Sequence, residues 1–85
     1  MTERTEDEKR LIYRSWHRGT REMDILLGRF ADAYVPGLSP KGLAEYEALL
    51  TIEDPDLWDY YTEKTCVPEH QNTQTLQAFL KFKVA

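Results

Sequence analysis

The stretch HRGTREMDILLGRF, His17–Phe30, lies where two helical patterns meet, and its reading decides the fold. Upstream of Gly19, the run EKRLIYRSWH places Ile12 and Trp16 four residues apart, on one helical face. Glycine is favoured just past a helix end, where the backbone turns left-handed. A first helix is therefore expected to start near Thr5, at the capping-box pattern Thr5-Glu6-Asp7-Glu8, and to end at Arg18-Gly19. Thr20 then caps a second helix that runs to about Tyr34 and is stopped by Pro36-Gly37. Wound at 100° per residue, Met23, Leu26, Leu27, Phe30, Ala33 and Tyr34 of that helix fall within a stripe of about 120°, the expected core face.

Working outward, the same punctuation recurs. Ser39-Pro40 announces a third helix, an N-cap followed by proline at the first helical position, with Leu43, Tyr46 and Leu50 as its buried line. Asp54-Pro55 repeats the device for a short fourth helix that packs Leu57, Trp58 and Tyr61, with Asp54, Asp56 and Asp59 near its N-terminus, where the helix dipole favours them. A fifth helix starts between Pro68 and Thr73 and uses Leu76, Phe79, Leu80 and the aliphatic stem of Lys83. No strand-like alternation of useful length and no internal repeat interrupts this pattern. The expectation is an all-α, compact five-helix bundle, one domain over residues 1–85, with 1–4 and 84–85 frayed.

Size and charge bound the function. A chain of 85 residues builds one small core, with little room for a deep private pocket. The net charge is −4, and it is unevenly placed: residues 1–34 balance, whereas the segment Glu45–Glu63 holds seven carboxylates and no cation. That half repels nucleic acid and anionic membrane, and helix two, with Glu22, Asp24 and Asp32 against Arg21 and Arg29, makes a poor recognition helix for DNA. The single cysteine, Cys66, fits a reducing compartment. The opening MTERTEDEKR has neither the apolar core of a secretory signal nor the acid-poor character of a transit peptide, and no apolar run approaches the roughly 20 residues of a spanning helix. A bacterial cytoplasmic location without membrane insertion is expected.

Reactive groupings are sparse. His17 reads as a solvated residue near a helix end, and Cys66 with His70 supplies two candidate ligands where a zinc site needs three or four. DPDLWD lacks the spacing and central glycine of a calcium loop, and GLSPKG lacks the GK[ST] of a phosphate loop. No enzyme, metal or cofactor of the chain's own is expected.

The joint itself has two readings. Arg18 at a helix end, Gly19 in the turn, Thr20 as cap and Glu22 in a first turn are all accounted for by local physics, each dipole effect worth about 0.3–1 kcal/mol. Those terms leave unexplained the outer face of helix two, where Ile25 falls opposite the core stripe among Arg21, Gly28, Arg29 and Asp32. Gly28 within a helix costs roughly 1 kcal/mol relative to alanine and would let another backbone approach. Glu22, Ile25 and Arg29 line one edge of that face, so joint and face make a continuous candidate patch for a protein partner.

Arg18-Gly19-Thr20-Arg21-Glu22, followed by MDILLGRF, resembles the RGxxE motif of the succinate dehydrogenase assembly factors, also called flavinylation factors, and Asp54-Pro55-Asp56-Leu57-Trp58 resembles that family's second recurring segment. The resemblance covers nearly the whole chain, although the third from Thr65 onward carries no usable signature. It implies a non-catalytic partner of the flavoprotein subunit of succinate dehydrogenase, or of fumarate reductase, that promotes covalent attachment of the client's FAD. It implies Arg18, Gly19 and Glu22 at the client interface, with Arg18 and Glu22 pairing with client groups or bracing each other. Arg21, Ile25 and Arg29 join them on the helix winding, Asp56 is either a cap-region charge or a second contact, and Leu57 and Trp58 are assigned to the core. A monomer is expected. The alternative class is a small helical regulatory or toxin-neutralising module.

Overall fold

Side-chain capping starts three of the five α-helices. The computed structural model describes residues 6–82, in the order α1 (Glu6–Trp16), α2 (Arg21–Tyr34), α3 (Pro40–Leu50), α4 (Asp54–Tyr61), a 3-10 turn (Glu69–Gln71) and α5 (Gln74–Lys81). The expected start at Thr5, the fraying of 1–4 and 84–85 and the use of Lys83 lie outside the described residues. Thr20, Ser39 and Thr73 each accept a hydrogen bond from the backbone N–H three residues on, and so start α2, α3 and α5. The all-α, five-helix expectation matches this architecture.

The core gathers on α2. Phe30 is fully buried and its ring meets Tyr34 at 4.5 Å, Phe79 and Phe82 at 5.4 Å and Tyr46 at 5.8 Å, drawing α3 and α5 onto one aromatic centre. Two polar ties lock the packing. Ser15 Oγ donates to Leu11 O at 2.7 Å, which uses its only proton, so the Tyr46 hydroxyl 2.5 Å away is the donor to Ser15. That bond ties α1 to α3 inside the core. Glu45 of α3 accepts from both the backbone N–H and the hydroxyl of Thr75, capping the first turn of α5.

The structure corrects the expected α2 stripe. Ala33 and Tyr34 are exposed, whereas Gly28, Ala31 and Val35 are buried. Tyr34, in the last turn, stacks on Phe30 and stays exposed, and α1 covers a second flank of α2 and widens its buried arc to roughly 200° on the same winding. Gly28 marks this contact: a Cβ added there would stand 2.2 Å from Cδ2 of the Trp16 ring. The close approach that Gly28 permits is therefore made within the chain, by Trp16, and not by another molecule. Leu43, expected in the buried line of α3, is only half-buried, while Tyr46 and Leu50 are buried as expected.

Candidate functional site

The link between α1 and α2 is tied at both ends. α1 ends at Trp16 and not at Arg18-Gly19, because the Asp24 carboxylate, in the first turn of α2, accepts the Arg18 backbone N–H at 2.5 Å and draws the chain off the helix path. The Arg18 side chain then crosses to the α3–α4 corner. Its Nε donates to Asp54 Oδ1 at 2.8 Å, one terminal nitrogen to Leu50 O at 2.6 Å and the other to Ile52 O at 2.5 Å. All three nitrogens of the guanidinium are used inside the fold, and the side chain is 12% exposed, against 17% for Asp54.

This fastening revises two expectations. Arg18 was expected at a partner interface or bracing Glu22; the structure turns it inward onto Asp54 and two carbonyls. Asp54 was expected to cap α4, but Glu53 holds the cap position with no side-chain bond, Asp54 is the first helical residue and Pro55 the second. The Asp54 carboxylate, engaged by Arg18, is not free to fold back onto its own helix.

Gly19 is exposed beside this brace. Its backbone is not left-handed, contrary to the expectation from the helix end; Gly37, at φ 108°, is the glycine with that conformation among the described residues. A Cβ on Gly19 would meet Asp54 Oδ2 at 3.4 Å, an ordinary contact. Neither backbone geometry nor internal packing therefore requires glycine at position 19.

Arg21, Glu22 and Arg29 are exposed on α2, as is Asp56 on α4, and Glu22 has no ion pair or hydrogen bond among the described residues. Ile25 is half-buried, not fully outward, since α1 already covers the neighbouring positions: Trp16 rests on Gly28 and its Nε1 donates to Asp32 at 3.5 Å. The structure keeps Gly19, Arg21 and Glu22 together at the corner and leaves Arg29 further along the helix.

Sequence reasoning missed the feature next to them. The first turns of α2 and α4 enclose an open cleft of about 370 Å3, walled by Thr20, Met23, Pro55 and Trp58, with Glu22 and Asp54 also lining it. Trp58, assigned to the core, is 37% exposed. A winding of DPDLWDYY contained the signal: Trp58 lies 100° from Leu57, which is fully buried, while Tyr60 and Tyr61 flank Leu57 more closely. Eight residues leave the stripe too poorly defined to reveal the edge. Beyond this region, Cys66 and His70 are both exposed, and no helix among the described residues is long and apolar enough to cross a membrane.

Fold and site together define a class: a small all-helical protein with an internally braced corner and an aromatic, carboxylate-edged cleft beside it. The chain belongs to the family described as flavinator of succinate dehydrogenase, whose model matches residues 9–83. It is 39% identical over 69 residues to a mitochondrial succinate dehydrogenase assembly factor 2 of Dictyostelium discoideum, covering 81% of this chain and 49% of that protein. The corresponding protein of Arabidopsis thaliana is 35% identical over 75 residues, 88% of this chain and 40% of its own. The FAD assembly factor SdhE of Acetobacter pasteurianus is 34% identical over 73 residues, 86% of this chain and 67% of its own. The chain thus spans half or less of the two mitochondrial relatives and two thirds of the bacterial one.

Proposed function

We propose that this chain is a non-catalytic assembly factor that binds the flavoprotein subunit of succinate dehydrogenase and promotes covalent attachment of FAD to a histidine of that client, with the fumarate reductase flavoprotein as a second client. Family membership over residues 9–83 carries the reading. Two features of the corner support it: Gly19 is exposed where nothing among the described residues requires glycine, and Glu22 is exposed without a partner among them. A partner backbone that approaches the corner closely would need both the missing side chain and an acceptor.

The FAD and the histidine belong to the client, and this chain contributes grip. Holding the client's own groups in reacting geometry supplies proximity and orientation, worth about 7–11 kcal/mol of barrier in well-aligned cases. That requires no acid, base or metal from the small protein. It acts as a monomer in the bacterial cytoplasm, a compartment that a lone cysteine fits. Asp56, exposed on α4, serves as the second contact.

Deletion of the gene tests the reading. In-gel flavin fluorescence of the dehydrogenase should fall in the deletion strain and return with the wild-type gene; an undiminished signal overturns the proposal. Complementation with Glu22→Gln should give a folded protein, with stability changed by less than about 1 kcal/mol, and a severalfold weaker flavin signal. Full rescue would return Glu22 to the role of a helix-start charge.

A further inference from the structure

We propose that the cleft between α2 and α4 takes an arginine side chain of the client, its methylene stem against Met23 and Pro55 and its guanidinium over the Trp58 indole, within reach of the Glu22 carboxylate. The proposal rests on the assembly-factor reading and names what one part of the surface grips.

The walls and the charges select this occupant together. Met23, Pro55 and Trp58 are apolar, and the indole, stacked with Tyr61 at 6.1 Å, is partly open to solvent although Leu57, its neighbour on α4, is fully buried. Of the two carboxylates lining the cleft, Asp54 is already answered by Arg18, whereas Glu22 has no partner among the described residues. Asp56 and Asp59 lie on the same helix, and the segment Glu45–Glu63 contains no cation. An aliphatic side chain would cover the indole but strip water from Glu22 without replacing it. An acidic side chain would be repelled. A lysine brings the charge, but its compact, strongly hydrated ammonium stacks poorly. Arginine offers an apolar stem, a planar cation that stacks on an indole face, and donors in a fork that matches a carboxylate.

The test uses the full chain labelled with 15N, in which Trp16 and Trp58 give two indole N–H signals assigned by Trp16→Phe. The probes are acetyl-Leu-Arg-Leu-amide and its citrulline and glutamate analogues. The arginine peptide should move the Trp58 signal and leave Trp16 in place, and the uncharged citrulline analogue should bind at least about fivefold more weakly. A second arm measures affinity for the purified flavoprotein subunit: Trp58→Leu should weaken it about tenfold or more, as for a buried aromatic anchor, and Trp58→Phe, which keeps a ring face, by about threefold or less. An unmoved Trp58 signal, equal binding of the citrulline peptide, or a folded Trp58→Leu chain that binds the flavoprotein like the wild type each overturns the proposal. If Trp58→Leu fails to fold, Trp58→Phe and the peptides decide. A wild-type chain that does not bind the flavoprotein refutes the assembly-factor reading, and the peptide arm still decides whether the cleft selects arginine.

Discussion

Truncating Arg18 to alanine removes the fastening between the α1–α2 link and the α3–α4 corner, and its cost follows from the geometry. Three hydrogen bonds from a charged donor disappear, and the Asp54 carboxylate and the carbonyls of Leu50 and Ile52 lose their partner. A fully buried pair broken on one side costs about 3–5 kcal/mol, and an exposed pair about 0–1 kcal/mol. With side chains 12% and 17% exposed, this pair lies nearer the buried limit, but water can reach the freed groups. The expected loss is about 2–4 kcal/mol, a large share of the 4–13 kcal/mol on the order of which a domain this size is stable. The melting temperature should fall by roughly 10–25 °C. Urea unfolding at pH 7, followed by far-UV circular dichroism, measures the loss. Arg18→Lys should recover less than half of it, since one ammonium cannot span three acceptors in different directions. Because the pair is shielded, most of the difference should persist at high salt. A loss below about 0.5 kcal/mol for Arg18→Ala, or one that vanishes with salt, would refute the claim that this residue works inside the fold.

Gly28→Ala should destabilise by about 1–2 kcal/mol although alanine is the better helix former by about 1 kcal/mol, because the added methyl collides with the Trp16 ring; urea midpoints measure it, and a red shift of Trp16 fluorescence in a Trp58→Phe background reports the displaced ring. Gly19→Ala should leave the urea midpoint nearly unchanged, since its Cβ meets an ordinary 3.4 Å contact, yet lower client flavinylation in the complementation assay; full flavinylation would remove Gly19 from the interface. Burial pushes the Tyr46 hydroxyl up to about 12 from 10.0. Its neutral form is thus favoured in the folded state, a contribution intact below pH 10 and lost as the pH rises towards 12, about 2–3 kcal/mol in all. Urea midpoints between pH 9 and 12 should fall in the wild type and fall less in Tyr46→Phe.

The parts of this fold legible in the sequence are those set by neighbours along the chain. Thr20 and Ser39 cap as their local patterns require, and Leu26, Leu27 and Phe30 point inward because one helix turn fixes their common face. The errors arise where a distant segment decides. Gly28 looks like an open patch until α1 lays Trp16 across it. Gly19 looks like a left-handed turn residue, but the Asp24 carboxylate holds the preceding N–H and the chain turns without positive φ. Asp54 looks like a cap until an arginine 36 residues away engages it. In each case the local pattern names a sufficient cause, and a tertiary contact supplies a different one. The cleft was illegible for the same reason, since its walls come from two helices whose separation no local rule sets.

The corner now divides by role in a way its sequence does not suggest. Asp24 holds the Arg18 backbone, Arg18 holds Asp54, and Asp54 opens the helix whose next residues, Pro55 and Trp58, wall the cleft. This relay runs from the first turn of α2 to the first turn of α4, the two elements between which the cleft lies. The inward residues of the corner therefore fix the spacing of the cleft's walls, with Asp54 itself lining it, while Gly19 and Glu22 stay exposed outside the brace. On the proposed reading, loss of function at Arg18 and loss at Glu22 should have different physical origins: the first acts through the stability and shape of the chain, the second through what the chain touches. On that same reading, the three-way hydrogen-bonded brace of Arg18 lies directly beside the edge that meets the client, and adjacent positions, 18 and 19, serve fold and grip in turn.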